Sequence, residues 1–179
     1  YGFIEFGSEI LNMLNGIFAF SILNKQTNEL FIARDQFGIK PLYYYSDENL
    51  FWFSSEIKSI LPLPFNKDVA VESLENYLTF LYSPAEKTPF KHVLKLLPGH
   101  FIKLEIDNPQ NFKIYNYYDI PFDGKVSNKT EEELINDLEH KLLKAVDRQL
   151  LADVPVGFFL SGGLDSSAIV AMAKKLHPD

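Results

Sequence analysis

Residues 159–168 read FLSGGLDSSA. The run before them, Pro155–Leu160 (PVGFFL), is short and wholly apolar, as a parallel strand covered on both faces requires. Ser166 to Leu176 follows as a helix-forming run. Upstream, Thr130-Glu131-Glu132-Glu133 is a capping box, after which Leu134, Ile135, Leu138, Leu142, Ala145 and Val146 keep helical spacing to about Leu151. The C-terminal part therefore reads helix–strand–loop–helix.

A strand entering a helix through Ser161-Gly162-Gly163-Leu164-Asp165-Ser166-Ser167 is suited to an anion. Glycines let the backbone turn sharply and approach a ligand without a Cβ in the way. Amides at a helix start carry partial positive charge, and Ser161, Ser166 and Ser167 add hydroxyl donors. The loop lacks the lysine of a Walker A sequence and the G-x-G-x-x-G of a dinucleotide fold. The plainer alternative is a glycine-rich connection with a serine cap on the helix. The complete heptapeptide behind an apolar strand points to phosphate.

The N-terminal part has a different character. Residues 8–14 are helical in spacing, with Ser8 as the expected cap. Gly16–Leu23, Glu29–Ala33, Pro41–Tyr45 and Leu50–Phe53 then read as short antiparallel strands joined by polar turns. Ser54–Leu61 and Val71–Leu81 switch to helical period, the second with a stripe of Leu74, Tyr77, Leu78 and Leu81. His100–Ile106 alternates as another strand. Residues 107–129 are polar apart from an aromatic cluster at 115–118, and they are the expected linker.

Composition narrows the function. With 17 basic against 24 acidic residues and a net charge of −7, nucleic acid is not the expected partner. No apolar run approaches the length of a membrane-spanning helix. There is no cysteine, so the chain holds no disulfide, thiolate metal site or thiol nucleophile. His92, His100, His140 and His177 lack metal-ligand spacing.

Ser161–Ser167 resembles the pyrophosphate loop of the N-type ATP pyrophosphatases. With its flank Asp153-Val154-Pro155-Val156-Gly157 it is similar to the D-V-P-x-G-x-x-L-S-G-G-L-D-S-S of glutamine-hydrolysing asparagine synthetases. The likeness extends along the chain: Leu14–Phe20 (LNGIFAF), Ala33–Tyr44 (ARDQFGIKPLYY), Phe53–Lys58 (FSSEIK), Tyr82–Phe90 and Leu97–His100 (LPGH) each look like that family's motifs, in order. The resemblance implies an α+β and α/β chain. Residues 1–122 would be the C-terminal part of a class II, N-terminal-nucleophile amidotransferase domain of antiparallel sheets with helices. Residues 123–179 would begin a doubly wound ATP-pyrophosphatase domain.

It also implies a reaction. Aspartate is adenylated by ATP and captured by ammonia from glutamine, giving asparagine, AMP and pyrophosphate. ATP and Mg²⁺ are the implied cofactors, with Phe159, Leu160, Ser161, Gly162, Gly163, Leu164, Asp165, Ser166 and Ser167 at the nucleotide and Asp165 near Mg²⁺-pyrophosphate. A cytoplasmic setting, no membrane partner and a homodimeric parent are further expectations. Arg34, Asp35, Gly38, Lys40 and Glu56 would lie near the glutaminase site. The plainer reading of Arg34 and Asp35 is an ion pair beside a Gly-Pro turn, and that of Glu56 a first-turn carboxylate.

The family's cysteine nucleophile has no counterpart, since residue 1 is Tyr. No catalytic residue is therefore assigned, and the chain reads as an internal piece spanning both domains, inactive in isolation. Two alternatives stay open: a related amidotransferase acting on another carboxylate (a natural product, peptide or sugar), and a non-catalytic binding module.

Overall fold

The computed structural model describes residues 1–178. In chain order the elements are α1 (Gly2–Phe6), α2 (Ile10–Met13), β1 (Ala19–Asn24), β2 (Glu29–Arg34), β3 (Tyr43–Ser46), β4 (Phe51–Ser54), α3 (Val71–Phe80), β5 (Val93–Lys95), β6 (His100–Glu105), β7 (Lys113–Asn116), α4 (Glu131–Gln149) and α5 (Leu164–Leu176). Single 3-10 turns occupy Gly7–Glu9 and Ile57–Ser59. The chain divides into two compact units, Tyr1–Pro121 and Phe122–Asp179.

The first unit holds two antiparallel sheets, one four-stranded in the order β1-β2-β6-β7 and one three-stranded in the order β4-β3-β5. The two-residue period of a strand sorts β2 into two cores. Ile32 faces Leu42, Tyr44, Leu96, Ile102 and Leu104, so one side of the large sheet packs on the small one. Phe31 and Ala33 face Leu11 and Phe101, so its other side is covered by the N-terminal helical segment. The outer face of the small sheet, through Tyr45 and Val93, is covered by Ile60 and its neighbours Leu63 and Phe65. β2 is thus enclosed on both faces, which is why Leu30–Ala33 is apolar without interruption, whereas in β6 the exposed Lys103 and Glu105 alternate with the buried Ile102 and Leu104.

Several expectations are corrected. The helix expected at residues 8–14 is realised as the shorter α2 with a further helix, α1, ahead of it, and Ser8 caps nothing because it lies inside the 3-10 turn. Ser54–Leu61 makes only that one short turn instead of a helix, and Pro62 and Pro64 follow it. The apolar stripe of α3 is exposed, and its one buried residue is Ser73. β5 and β7 arise where no strand is expected: β5 has three residues, too few to show a period, and β7 is an exposed edge strand.

In the second unit, the capping box at Thr130 and Glu133 forms in both directions and starts α4. Lys175 on α5 donates to Glu139 on α4 at 2.7 Å. Pro155–Leu160 is not a strand. A strand needs a ladder partner, and residues 122–178 contain no other strand to supply one. Phe159 and Leu160 are exposed as a result.

Candidate functional site

Two groups of expected site residues are built, one in each unit. In the second unit, Gly162 takes φ +80°, with nothing within 4 Å of the place a Cβ would occupy. Gly163 returns to extended backbone and caps α5. Its carbonyl accepts from the Ser167 amide and from Ser166 Oγ, each at 3.1 Å. Ser161 Oγ lies 3.0 Å from Ser166 Oγ and accepts from the Gly163 amide at 3.4 Å. Hydroxyls are thus gathered at the open end of the helix.

The amides of Leu164, Asp165 and Ser166 donate to no protein group among the described residues, as the first turn of a helix dictates. Three free amides, an open glycine and the serine hydroxyls suit a phosphate group. For a divalent cation, the loop offers the exposed carboxylate of Asp165 alone. Among the described residues no three acidic, His or Cys side chains gather as ligands. That donor set fits Mg²⁺, which is often held by one or two carboxylates together with substrate phosphates.

In the first unit, Arg34, Asp35, Gly38 and Lys40 are brought into one closed loop. Asp35 is 1% exposed. Its Oδ1 accepts from the amides of Phe37 (3.1 Å) and Ile39 (3.0 Å), and its Oδ2 from Lys40 (3.0 Å). Burial pushes the Asp35 carboxyl up, but the amides of Lys40, Ile39 and Phe37 outweigh it and hold it below the usual carboxylate range. The Arg34 guanidinium donates to the carbonyls of Lys40 (2.7 Å), Gly38 (2.6 Å) and Leu96. Burial lowers its pKa, against the opposing charge of Asp35.

The expected Arg34–Asp35 ion pair does not form among the described residues; both side chains hold backbone instead. Lys40 takes part through its amide and carbonyl. Glu56 stands outside this loop, exposed and paired with Lys58 at 2.6 Å. It precedes its short turn rather than sitting within it.

Separate sequence motifs meet at the loop. Asp35 donates its amide to the Phe18 carbonyl at 2.8 Å, and the Gln36 side chain to the Leu14 carbonyl at 3.0 Å, binding LNGIF to RDQFG. The Gly99 amide donates to the Asp35 carbonyl at 2.9 Å, adding LPGH. Tyr117 completes the node: its hydroxyl donates to the Arg34 carbonyl at 2.8 Å. Burial, and then the Asp35 charge, push that hydroxyl's pKa up to about 12. Tyr117 is not foreseeable from its aromatic neighbours, because the edge strand that delivers it shows no apolar alternation.

Residues 2–119 match the glutamine amidotransferase domain family, and the chain belongs to it. Residues 137–179 match the asparagine synthase family. The chain is 38% identical over 174 residues to asparagine synthetase [glutamine-hydrolyzing] 1 of Bacillus subtilis, covering 97% of this chain and 27% of that protein. It is 34% identical to a putative asparagine synthetase [glutamine-hydrolyzing] 2 of Methanocaldococcus jannaschii, covering 96% of this chain and 33% of the relative. An amidase of Penicillium rubens is also 34% identical, with 96% of this chain and 25% of that protein covered. The chain thus spans about a quarter to a third of the length of these relatives.

Proposed function

We propose that this chain serves a glutamine-hydrolysing asparagine synthetase, a carbon–nitrogen ligase that uses ATP, aspartate and glutamine to make asparagine, with AMP, pyrophosphate and glutamate released. Residues 1–122 are assigned to its glutaminase domain and residues 123–179 to the start of its ATP-pyrophosphatase domain. The observation that carries the reading is the SGGLDSS loop, whose amides at Leu164, Asp165 and Ser166 are left free just after the open turn at Gly162.

ATP supplies an activated phosphate when bound. The chain's part is to hold the departing pyrophosphate: the three amides and the hydroxyls of Ser161, Ser166 and Ser167 lie where negative charge grows. Because the amides are fixed by the helix and the Ser161 and Ser166 hydroxyls by each other, these groups need little rearrangement as that charge develops. Asp165 carries the carboxylate that would share Mg²⁺ with the pyrophosphate. Phe159 and Leu160 adjoin the loop and would meet the nucleotide. The Arg34–Lys40 loop serves as framework for the glutaminase side rather than as a donor of reacting groups.

The test uses the full-length protein with aspartate, ATP and either glutamine or ammonia. Ser161→Ala and Asp165→Ala are expected to slow pyrophosphate release with ammonia as well as with glutamine. Unchanged rates would remove both residues from the site. The 179-residue chain has no cysteine and is expected to hydrolyse no glutamine and form no asparagine.

A second reading has one observation in its favour, the similarity to the Penicillium rubens amidase. In it the same loop activates a carboxylate other than aspartate. Asparagine formed from aspartate at a rate matching pyrophosphate release would decide against it. A cytoplasmic, homodimeric parent without nucleic-acid or membrane partners completes the proposal. It accords with the acidic composition, and no helix among the described residues is long and apolar enough to cross a membrane.

A further inference from the structure

The start of α3 opens into a cavity of about 420 Å³ between Ala70–Ser73 and the segment that carries Glu86, Lys87, Thr88 and Phe90. Backbone bonds build its frame. The Ala70 amide donates to the Pro89 carbonyl at 2.8 Å and the Lys91 amide to the Asp68 carbonyl at 2.9 Å, while an antiparallel bridge joins Val69 to Phe90. None of its lining residues belongs to the SGGLDSS loop or to the Arg34–Lys40 loop.

Two kinds of donor are left over inside this frame. Ala70 is the cap residue and has no side-chain oxygen, so the amides of Val71 and Glu72 donate to no protein group among the described residues. Ser73 is 0% exposed and lines the cavity, yet its hydroxyl has no hydrogen-bond partner there. Buried hydroxyls are almost always paired, so an unpaired one beside a cavity calls for a partner from outside the chain.

The ionisable lining is balanced in charge. Glu72 and Glu86 are matched by Lys87 and Lys91, with Glu72 and Lys87 joined as an ion pair. Lys91 stands 4.0 Å from Asp68. Ala70, Val71, Phe90 and Leu94 supply apolar wall. A dianion would meet two carboxylates, and a purely apolar molecule would leave the donors unmet. A zwitterion with an apolar part satisfies both.

We propose that this cavity binds a free α-amino acid. Its carboxylate takes the amides of Val71 and Glu72 and the Ser73 hydroxyl, its ammonium group faces Glu86, and its side chain rests on Phe90 and Leu94. The proposal does not rest on the synthetase reading.

The test is an amide-resonance titration of the 179-residue chain with L-asparagine, L-glutamine and L-leucine, and with acetate, leucinamide and inorganic phosphate as comparison probes. Saturable shifts at Val71, Glu72 and Ser73 are expected with at least one of the amino acids, weaker ones with acetate, and none with leucinamide or phosphate. Ser73→Ala is expected to weaken amino-acid binding at least about tenfold while leaving the unliganded chain no less stable, since an unpaired hydroxyl is removed. No saturable shift with any of the three amino acids overturns the proposal. So does equal binding of phosphate or leucinamide, or an S73A variant with undiminished affinity. Should S73A not fold, the contrast between leucine and leucinamide on the unaltered chain decides alone.

Discussion

Arg34 and Asp35, neighbours in sequence, divide one loop between them: the guanidinium takes its carbonyls and the carboxylate takes its amides. The loop from Phe37 to Lys40 is thereby fixed from both sides. Arg34 reaches the carbonyls of Gly38, Lys40 and Leu96 because its nitrogens are spread over a planar fork. Lysine keeps the charge and loses the fork. Arg34→Lys is expected to destabilise the first unit by about 1.5–3 kcal/mol, the range for hydrogen bonds to a charged group. Urea unfolding followed through the single tryptophan, Trp52, measures it; a loss below about 0.5 kcal/mol would mean the fork is dispensable.

Asp35 gives the same loop a pH dependence. Its folded pKa lies below the ordinary value, so its stabilising contribution is complete above the unfolded pKa of about 3.9 and is lost as pH falls through the folded pKa. Asp35→Asn keeps one acceptor oxygen and turns the other into a donor facing an amide. The variant is expected to be less stable than the parent chain at pH 7, with the gap narrowing as pH drops below about 4. Denaturation midpoints at a series of pH values check this, and a gap constant down to pH 3 would contradict it.

Gly38 and Gly99 both have positive φ, but their surroundings differ. A Cβ on Gly38 would stand 2.8 Å from Pro98 Cγ and 2.9 Å from Arg34 Cζ, both side-chain atoms. On Gly99 it would stand 2.4 Å from the Tyr118 carbonyl oxygen, which is backbone. The Gly99 carbonyl also accepts the Tyr117 amide at 2.8 Å, so the two segments cannot part without losing that bond. Gly99→Ala is therefore expected to cost more than Gly38→Ala, each by at least about 1 kcal/mol from the left-handed backbone alone. The order of the two thermal midpoints is the measurement, and the reverse order would show that the loop rather than the turn is the stiffer partner.

The sequence made some of this legible and hid the rest for physical reasons. β2 stands out because burial on both faces leaves Leu30–Ala33 apolar, and β6 because exposed Lys103 and Glu105 alternate with buried Ile102 and Leu104. α4 stands out because its capping box is local chemistry. The SGGLDSS turn is readable because glycines and serines at a helix start act within a few residues of one another. The node around Asp35 is different. Its members come from Leu14, Phe18, Gly99 and Tyr117, brought together by sheet pairing, and single-residue patterns do not encode such distances. The same cause explains the error at Pro155–Leu160 and the exposed stripe of α3, a helix that its spacing itself made legible. Apolar residues announce that something covers them, but not where in the chain that cover lies.

Thr130 tests how far α4 depends on its own cap. Its hydroxyl accepts from the Glu133 amide at 3.3 Å, while the Glu133 carboxylate accepts from the Thr130 amide at 2.8 Å. The Thr130 amide and hydroxyl hold the Glu133 carboxyl below its usual range. Thr130→Ala removes one half of this exchange and is expected to cost about 1 kcal/mol of helix stability. Faster amide exchange in Glu131–Leu134, with α5 unchanged, is the expected signature. Equal slowing or quickening in both helices would show that the cap acts on the unit and not on one helix end.

Gly162 separates binding from folding in the SGGLDSS loop. Its φ of +80° disfavours any side chain, at a cost of about 1–2 kcal/mol. Space is no obstacle, because nothing lies within 4 Å of a Cβ there. An alanine would therefore be tolerated by the fold yet add a methyl to the turn that leads into the free amides. Gly162→Ala is expected to lower the thermal midpoint of the full-length protein by only a few degrees and to weaken its binding of ATP or pyrophosphate tenfold or more. Gly157→Ala, also in open space but without positive φ, should change neither. Calorimetric titration of the two variants with pyrophosphate gives the comparison. If G162A binds as the unaltered protein does, the open glycine is a turn device only, and the ligand approaches α5 from another side.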